Sequence, residues 1–382
     1  MFPIIICGFR AWRHRRRYPH MVSNKRGPQT VRGVYRNCSA VTPLSCIPGL
    51  RCFELLVSLH RQFTLAGQDI NMPRLSRRVR LLTAVLAGSY LGQAVAAPEP
   101  HPLSPADWSA ELGIGVEYDS NVSVEEVDAT SNEGDYAMTL DAGLGVKKEL
   151  SKRTEASATY DFSQSIYDKY SQVDRQTHML GTELGLDLKR ADPAISLYYI
   201  NSRLDGSQFL EMVRVSPSVS GFLAQKWFAR GAYVYSDKTL HDRDGRDATT
   251  NAGESDLYFF VRGLRQYFNI GYRYRDEDAD ADQYDYISNS FKIRYVQRIE
   301  MFSRLTRLEL AWRYEDRDYQ SDTPSIGEER DDQRNRLRLD FEVPIYGGAA
   351  VQFFAGYADY ESNYSPADYD QTLVGTRFIY TW

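Results

Sequence analysis

Charged side chains recur at every second position in four segments near the end of the sequence. In "RLELAWRYE" (307–315) and "RNRLRLDFEV" (334–343) they alternate with Leu, Trp, Tyr and Phe, and "FNIGYRYR" (268–275) and "SFKIRY" (290–295) repeat the pattern. The charged residues are Arg273, Arg275, Lys292, Arg294, Arg307, Glu309, Arg313, Glu315, Arg336, Arg338, Asp340 and Glu342. They could form a basic wall that orients anionic or polar solutes in a pore, or an ion-pair lattice that braces adjacent strands.

A period of two places these charges on one face of a β-strand and the apolar residues on the other. A helical period of 3.6 residues fits none of the four segments. An Arg or Lys facing lipid near the bilayer midplane would cost about 2–4 kcal/mol, so the charged face must meet water or opposite charge. The pattern predicts strands that are apolar outside and charged inside.

The same alternation predicts about fourteen strands, with twelve to sixteen as the range, between residues 107 and 382. Short connectors are expected near 149–152, 190–193, 224–226, 264–266, 300–303 and 346–348, and long acidic ones near 122–134, 241–253, 276–284, 318–332 and 362–368. We therefore predict an all-β fold, a closed antiparallel transmembrane β-barrel with short periplasmic turns, longer surface loops and both termini periplasmic. A water-soluble β-sandwich is the alternative, but its buried faces carry Leu, Ile and Val more than Tyr.

The chain ends on "TRFIYTW", in which Phe378, Tyr380 and Trp382 share one face of a strand. An exposed aromatic edge strand invites aggregation in a soluble protein. In a barrel, the last strand pairs with the first, and its aromatic residues lie in the interfacial girdle at the height of Trp108.

The segment from Met72 has the three parts of a secretory signal peptide: a basic head, an apolar run from Leu81 to about Leu91, and a small-residue cleavage site at Ala94 and Ala96. We therefore assign 72–96 to the signal peptide, 97–106 to a short periplasmic lead-in and 107–382 to the barrel. Residues 1–71 are then a mis-assigned or disordered N-terminal extension, the alternative being a genuine basic cytosolic one.

Composition narrows the function classes. Without residues 1–96, which hold 15 Lys and Arg and 2 Asp and Glu, the chain has 31 basic and 49 acidic residues, a net charge of −18 and no cysteine. Such an acidic protein is a poor nucleic-acid binder.

His241, beside Asp242 and Asp244, is a candidate catalytic histidine, but no second catalytic pair is evident, so we expect no enzymatic activity. The acidic run "DEDADAD" (276–282) lacks the Gly and Glu of a calcium loop, and we expect neither a metal nor a cofactor.

These features resemble those of Gram-negative outer-membrane barrels over about residues 98–382. The signal peptide, a first strand running into "VEYDSNV" (116–122), the tyrosine-rich strands and the terminal aromatic are similar to those of β-barrel porins and of the C-terminal barrel of surface lipoprotein assembly modifiers. The residues Phe378, Tyr380 and Trp382 resemble the signal that the barrel-assembly machinery recognises. The resemblance implies this machinery, outer-membrane lipid and lipopolysaccharide as partners.

Surface lipoprotein assembly modifiers normally carry a periplasmic helical-repeat domain before the barrel. Here about ten residues separate Ala96 from the first strand, so a separate helical-repeat protein would have to supply that domain, and a surface lipoprotein would be the cargo. Our first expectation is a passive channel or export conduit for polar or charged molecules. A surface lipoprotein export barrel of the modifier type is the alternative, and a plugged structural or surface-binding barrel is the second.

Overall fold

The computed structural model describes residues 105–188, 190–301 and 303–382. The expected signal peptide, its cleavage residues Ala94 and Ala96 and the extension before it lie outside the described residues. In the described part of the chain, no helix combines the length and the apolar character needed to cross a bilayer.

Fourteen long antiparallel strands close into a single barrel, which confirms the predicted fold. They are β1 (Asp107–Asp119), β4 (Asp135–Glu149), β5 (Thr154–Tyr167), β6 (Arg175–Leu186), β7 (Asp192–Leu204), β8 (Ser207–Ala224), β9 (Trp227–Leu240), β10 (Ala248–Phe260), β11 (Gln266–Ala279), β12 (Tyr286–Met301), β13 (Arg304–Thr323), β14 (Glu328–Tyr346), β15 (Ala349–Ser362) and β16 (Tyr369–Thr381). Two short strands, β2 (Ser123–Val124) and β3 (Ala129–Thr130), pair with each other in the connection between β1 and β4.

The first and last strands close the barrel. They pair in antiparallel register from Glu111 opposite Thr381 to Asp119 opposite Leu373. The Trp382 backbone N–H then donates to the Ala110 carbonyl oxygen at 2.9 Å. Hydrocarbon offers the backbone no hydrogen-bond partner, so the strands must pair with each other. Closure pairs β16 with β1 and removes an open aromatic edge that would be prone to aggregation.

The two ends of the barrel differ in their connections. The start of β1 at Asp107 and the end of β16 at Thr381 both lie at what we call the turn end, where connections have two to five residues. At the opposite loop end, residues 120–134 form the longest connection, which we call loop 1. Four further connections at the loop end, after β5, β9, β11 and β15, have six or seven residues, which confirms the predicted pattern of short turns and longer loops. The exceptions at this end are 205–206 and 324–327.

Three predicted acidic loops are shorter than expected. The loop predicted at 241–253 is reduced to 241–247, because β10 begins at Ala248. Strands β13 and β14 run on to Thr323 and from Glu328, so the loop predicted at 318–332 is reduced to 324–327. The neighbouring strand β12 pairs with β13 only as far as Tyr319, so the hairpin projects beyond it. Charges lie on both faces of this projection, so no apolar face marks it as a strand in the sequence. Residues 276–279 also belong to β11 rather than to a loop, and Asp276, Glu277 and Asp278 likewise place charges on both faces.

The barrel wall has an apolar outer face and a polar inner face. Ile270, Ile293 and Leu339 point outward and are exposed. Large aromatic residues lie exposed at the ends of the strands, among them Trp108 and Tyr346 at the turn end. An apolar band with aromatic girdles is typical of outer-membrane barrels.

The three terminal aromatic residues lie on this outer face at the turn end. Phe378, Tyr380 and Trp382 are exposed, and the Tyr380 and Trp382 ring centroids are 4.5 Å apart. Their position agrees with the expected girdle. Their recognition by the assembly machinery stays a prediction.

Candidate functional site

The inner wall formed by β11 to β14 gathers the charged residues that the alternation singled out. Eleven of the twelve form ion pairs in which the N and O atoms lie within 4.0 Å. These are Arg273 (with Glu254), Arg275 (Glu277 and Glu315), Lys292 (Asp256), Arg294 (Glu309), Arg307 (Glu309 and Glu342), Arg336 (Glu125 and Glu315) and Arg338 (Asp340). Most of the set therefore has the geometry of a bracing lattice, and Arg307, Glu309, Asp340 and Glu342 line one recess of the wall.

Arg313 is the exception. In the part of the chain that the structure describes it has no carboxylate within 4.0 Å, and its side chain is exposed on the inner face. Lys292 and Arg336 lie beside it, in register on β12 and β14. Because like charges on adjacent strands destabilise a sheet, this basic row costs stability, and Arg313 is its member most available to a solute.

Loop 1 crosses the lumen near the loop end. On one side, Val124 packs into an apolar patch on the inner faces of β6 to β9, formed by Met179, Ile200, Phe209, Leu210 and Leu240. On the other side, Glu125 contacts β14. Seven strands lie between β6 and β14 one way around the barrel and five lie between them the other way, so they face each other almost directly. Loop 1 therefore narrows the passage.

Three acidic residues of loop 1 bind guanidinium groups of the wall. Arg334 Nη1 and Arg336 Nη2 donate to Glu125 Oε1 at 2.6 and 2.7 Å. Asp128 accepts from Arg330 Nη2 at 2.9 Å and from Arg246 Nη2 at 2.8 Å. Glu126 pairs with Arg175 on β6. We call the five guanidinium-bearing residues Arg175, Arg246, Arg330, Arg334 and Arg336 the arginine cluster.

The backbone of loop 1 explains why its carboxylates reach both walls. Residues Glu125–Val127 form a 3-10 turn between β2 and β3, so consecutive side chains leave in different directions. Asp128, with φ of 53°, ends the turn in the left-handed region. Asp enters that region more readily than most residues with a side chain, and its carboxylate thereby faces Arg246 and Arg330.

The carboxylates of loop 1 ionise easily in this setting. Burial alone would raise the pKa of Glu125, but the guanidinium groups of Arg336 and Arg334 outweigh it and lower the pKa to about 2. Burial likewise raises the pKa of Asp128, and the charges of Arg330 and Arg246 lower it to about 2. Both carboxylates are therefore charged at neutral pH and hold loop 1 in the lumen.

Acid should release loop 1 only at low pH. Because the docked pKa of Glu125 lies below its free value of 4.5, docking is at full strength above pH 4.5 and weakens as pH falls toward about 2. We expect single-channel conductance to stay low from about pH 7 to about pH 5 and to rise at about pH 3. A rise already between pH 7 and 5 would show that the loop 1 carboxylates are not the groups that control conductance.

Sequence reasoning missed the docking of loop 1. It predicted a surface loop here, and it identified Arg336 but not the other four members of the arginine cluster. The contact between Glu125 and Arg334 joins residues 209 positions apart, which no local pattern predicts. The available signal was the apolar residues Val122, Val124 and Val127 inside an otherwise acidic connection.

The other candidate groups lie apart from the arginine cluster. His241 Nε2 is 3.6 Å from Glu211 Oε2, so its ion-pair partner is on β8 rather than in the adjacent sequence. Among the described residues, no group of three or more His, Cys, Asp or Glu side chains is placed to hold a metal ion.

Comparison with known proteins adds a family. Residues 108–341 match the family described as surface lipoprotein assembly modifier. No curated protein sequence matches the chain.

Several solved structures are similar. The anion-selective porin from Comamonas acidovorans shares 8% identity over 73% of this chain and 99% of its own, with a TM-score of 0.42. Outer-membrane expressed OmpT of Vibrio cholerae shares 10% over 72% of this chain and 97% of its own, with a TM-score of 0.44. CdiB from Acinetobacter baumannii shares 10% over 72% of this chain and 60% of its own, with a TM-score of 0.41.

Proposed function

The chain belongs to the surface lipoprotein assembly modifier family, and from that membership we propose that its outer-membrane barrel is the conduit for a surface lipoprotein. The matched region, 108–341, contains loop 1 and the whole arginine cluster, and this observation carries the proposal. The turn end would face the periplasm, where a helical-repeat protein would deliver the cargo. The barrel-assembly machinery, outer-membrane lipid and lipopolysaccharide remain proposed partners.

The charged lumen suits an unfolded polypeptide in transit. A chain whose backbone is not internally paired needs water or polar groups around it, and the inner wall of β11 to β14 supplies polar groups. At rest, loop 1 narrows the passage. Cargo entering from the turn end would therefore have to displace loop 1 before reaching the cell surface. The proposed role is passage of cargo, without a chemical step.

Surface display tests this proposal. In a strain lacking the gene, we expect a cognate surface lipoprotein to be made but shielded from protease and antibody on intact cells. Complementation with the full chain should restore access. Total lipoprotein in lysed cells and surface access of an unrelated barrel are the controls. Unchanged display in the deletion strain would rule out the proposed role.

Passive conduction is the second candidate function, and the observation that favours it is Arg313. An exposed, unpaired cation flanked by Lys292 and Arg336 attracts anions to the inner wall.

We expect Arg313→Ser to reduce the anion-to-cation permeability ratio of the protein in planar bilayers, because it removes this cation from the lumen. The matched control is Arg203→Ser, which makes the same charge change at an exposed, outward-facing position on β7. Equal ratios in Arg313→Ser and wild type would assign the wall arginines to bracing alone.

A further inference from the structure

Residues outside loop 1 also hold the arginine cluster in place. Arg330 donates from Nε and Nη2 to the two carboxylate oxygens of Asp332 at 2.7 and 2.8 Å. Arg334 Nη2 donates to Asp332 at 2.9 Å. The Tyr319 ring lies 4.6 Å from the Arg330 guanidinium carbon, and the Tyr360 ring lies 5.2 Å from that of Arg336. These contacts fix three guanidinium groups on β14 and stabilise them by cation–π attraction.

The remaining two members are also held by wall or rim residues. Arg175 Nε donates to Ser202 Oγ at 3.1 Å. The guanidinium carbon of Arg246 lies 4.1 Å from the centre of the Tyr284 ring. The arginine cluster is therefore ordered before any ligand arrives, which lowers the entropic cost of binding.

Loop 1 shows what the cluster recognises. Its segment "VEEVD" (124–128) presents three carboxylates to guanidinium groups, while Val124 and Val127 pack on the apolar patch of β6 to β9. Arg246 Nη1 also donates to the backbone carbonyl oxygen of Glu126 at 3.0 Å. A phosphate or a sugar acid would use neither the apolar patch nor this carbonyl contact. The recognised features together are those of a polypeptide.

We propose that the arginine cluster, with the adjacent apolar patch, binds an acidic stretch of polypeptide that carries aliphatic side chains, and that loop 1 is a tethered mimic of this ligand. The inference rests on the proposed function only in taking the ligand from the exported cargo. A tethered segment competes at an effective concentration of the order of millimolar. Loop 1 therefore keeps the site filled until cargo arrives at comparable local concentration.

Peptide binding to the refolded barrel tests the proposal. Residues 123–130 are replaced by a Gly/Ser segment of equal length, and a fluorescein-labelled peptide SVEEVDAT is titrated in by anisotropy. We expect saturable binding that is at least about tenfold tighter than to the wild-type barrel, whose own loop 1 fills the site. The full-length triple variant Glu125→Gln, Glu126→Gln, Asp128→Asn should also bind more tightly than wild type, and it tests the same point without shortening any side chain.

Matched variants locate the binding. In the loop-replaced barrel, Arg334→Gln with Arg336→Gln should weaken binding by about tenfold or more, because charge-assisted hydrogen bonds to carboxylates are lost. Arg203→Gln, on the outer face, should leave binding unchanged. The peptides SVQQVNAT and SSEESDAT should both bind more weakly than SVEEVDAT.

Three results would overturn the proposal: no saturable binding to either loop variant, equal binding of SVQQVNAT, or equally effective competition by inorganic phosphate at the same charge concentration. The last would define a general anion site. Because this assay needs no lipoprotein, failure of surface display and failure of peptide binding are separate outcomes.

Discussion

Glu125→Lys with Asp128→Lys should convert a narrowed barrel into an open pore. Each new ammonium group would lie where a carboxylate now meets two guanidinium groups at 2.6 to 2.9 Å. Breaking a buried ion pair by removing one partner costs about 3–5 kcal/mol, and placing a like charge there adds repulsion. Loop 1 should therefore leave the lumen, and single-channel conductance should rise severalfold.

The matched control for this pore experiment is Asp322→Lys with Glu329→Lys. These two residues are exposed and face each other in register near the tip of the β13–β14 hairpin, and the change in net charge is the same. Their substitution should leave conductance near the wild-type value. If the loop 1 variant conducts no better than this control, loop 1 does not limit the passage.

Removing residues 376–382 should abolish the folded barrel. Only three of the nine β1–β16 register pairs, those from Glu117 to Asp119, would remain. Each backbone group left unpaired in hydrocarbon costs several kcal/mol, and an open sheet edge there has no compensating partner. The truncated chain should show no heat-resistant folded band on refolding into detergent or lipid.

A second variant separates closure of the barrel by β16 from recognition of its aromatic residues by the assembly machinery. Tyr380→Ala with Trp382→Ala keeps the backbone pairing but removes two rings of the proposed assembly signal. We expect it to refold in detergent yet reach the outer membrane of cells at a much lower level than the wild type, whereas Trp382→Phe should assemble well. Normal assembly of the double-alanine variant would show that these rings are not the signal, and refolding of the truncated chain would contradict the closure argument.

The strands were predictable from sequence because lipid imposes a strict alternation on the wall. Ile270 and Ile293 face hydrocarbon while Arg273 and Arg294 face the lumen, so the sequence of each strand alternates with a period of two residues. The charged set on β11 to β14 followed from the same period. The sequence did not predict which of these charged residues form ion pairs or that Arg313 forms none, because ion pairing depends on the register between strands.

The docking of loop 1 depends on contacts across the closed barrel. Glu125 and Arg336 are 211 positions apart and meet only once fourteen strands have closed. A connection has no period, so an acidic segment that points into water and one that points into an arginine cluster look alike in sequence. The projecting part of β13–β14 was missed for another reason: consecutive charges such as Glu328 and Glu329 lie on opposite faces of the strand, so no apolar face marks it in the sequence.

The β13–β14 hairpin, 20 and 19 residues long against 13 for β1 and β16, extends beyond its neighbours as a two-stranded ribbon. The Asn363 side chain bonds to Glu328, Glu329 and Asp331 on one flank, and Gln320 bonds to Asp285 on the other, but neither flank there pairs with another strand. Unpaired flanks of this kind would let neighbouring molecules in a crowded membrane join ribbon to ribbon. Two features oppose such joining: the pairing slips between Asp318 and Asp322, which interrupts the ladder, and Asp322, Glu328 and Glu329 make approaching copies repel each other. The projecting hairpin is thus built so that its strands do not pair with those of neighbouring molecules.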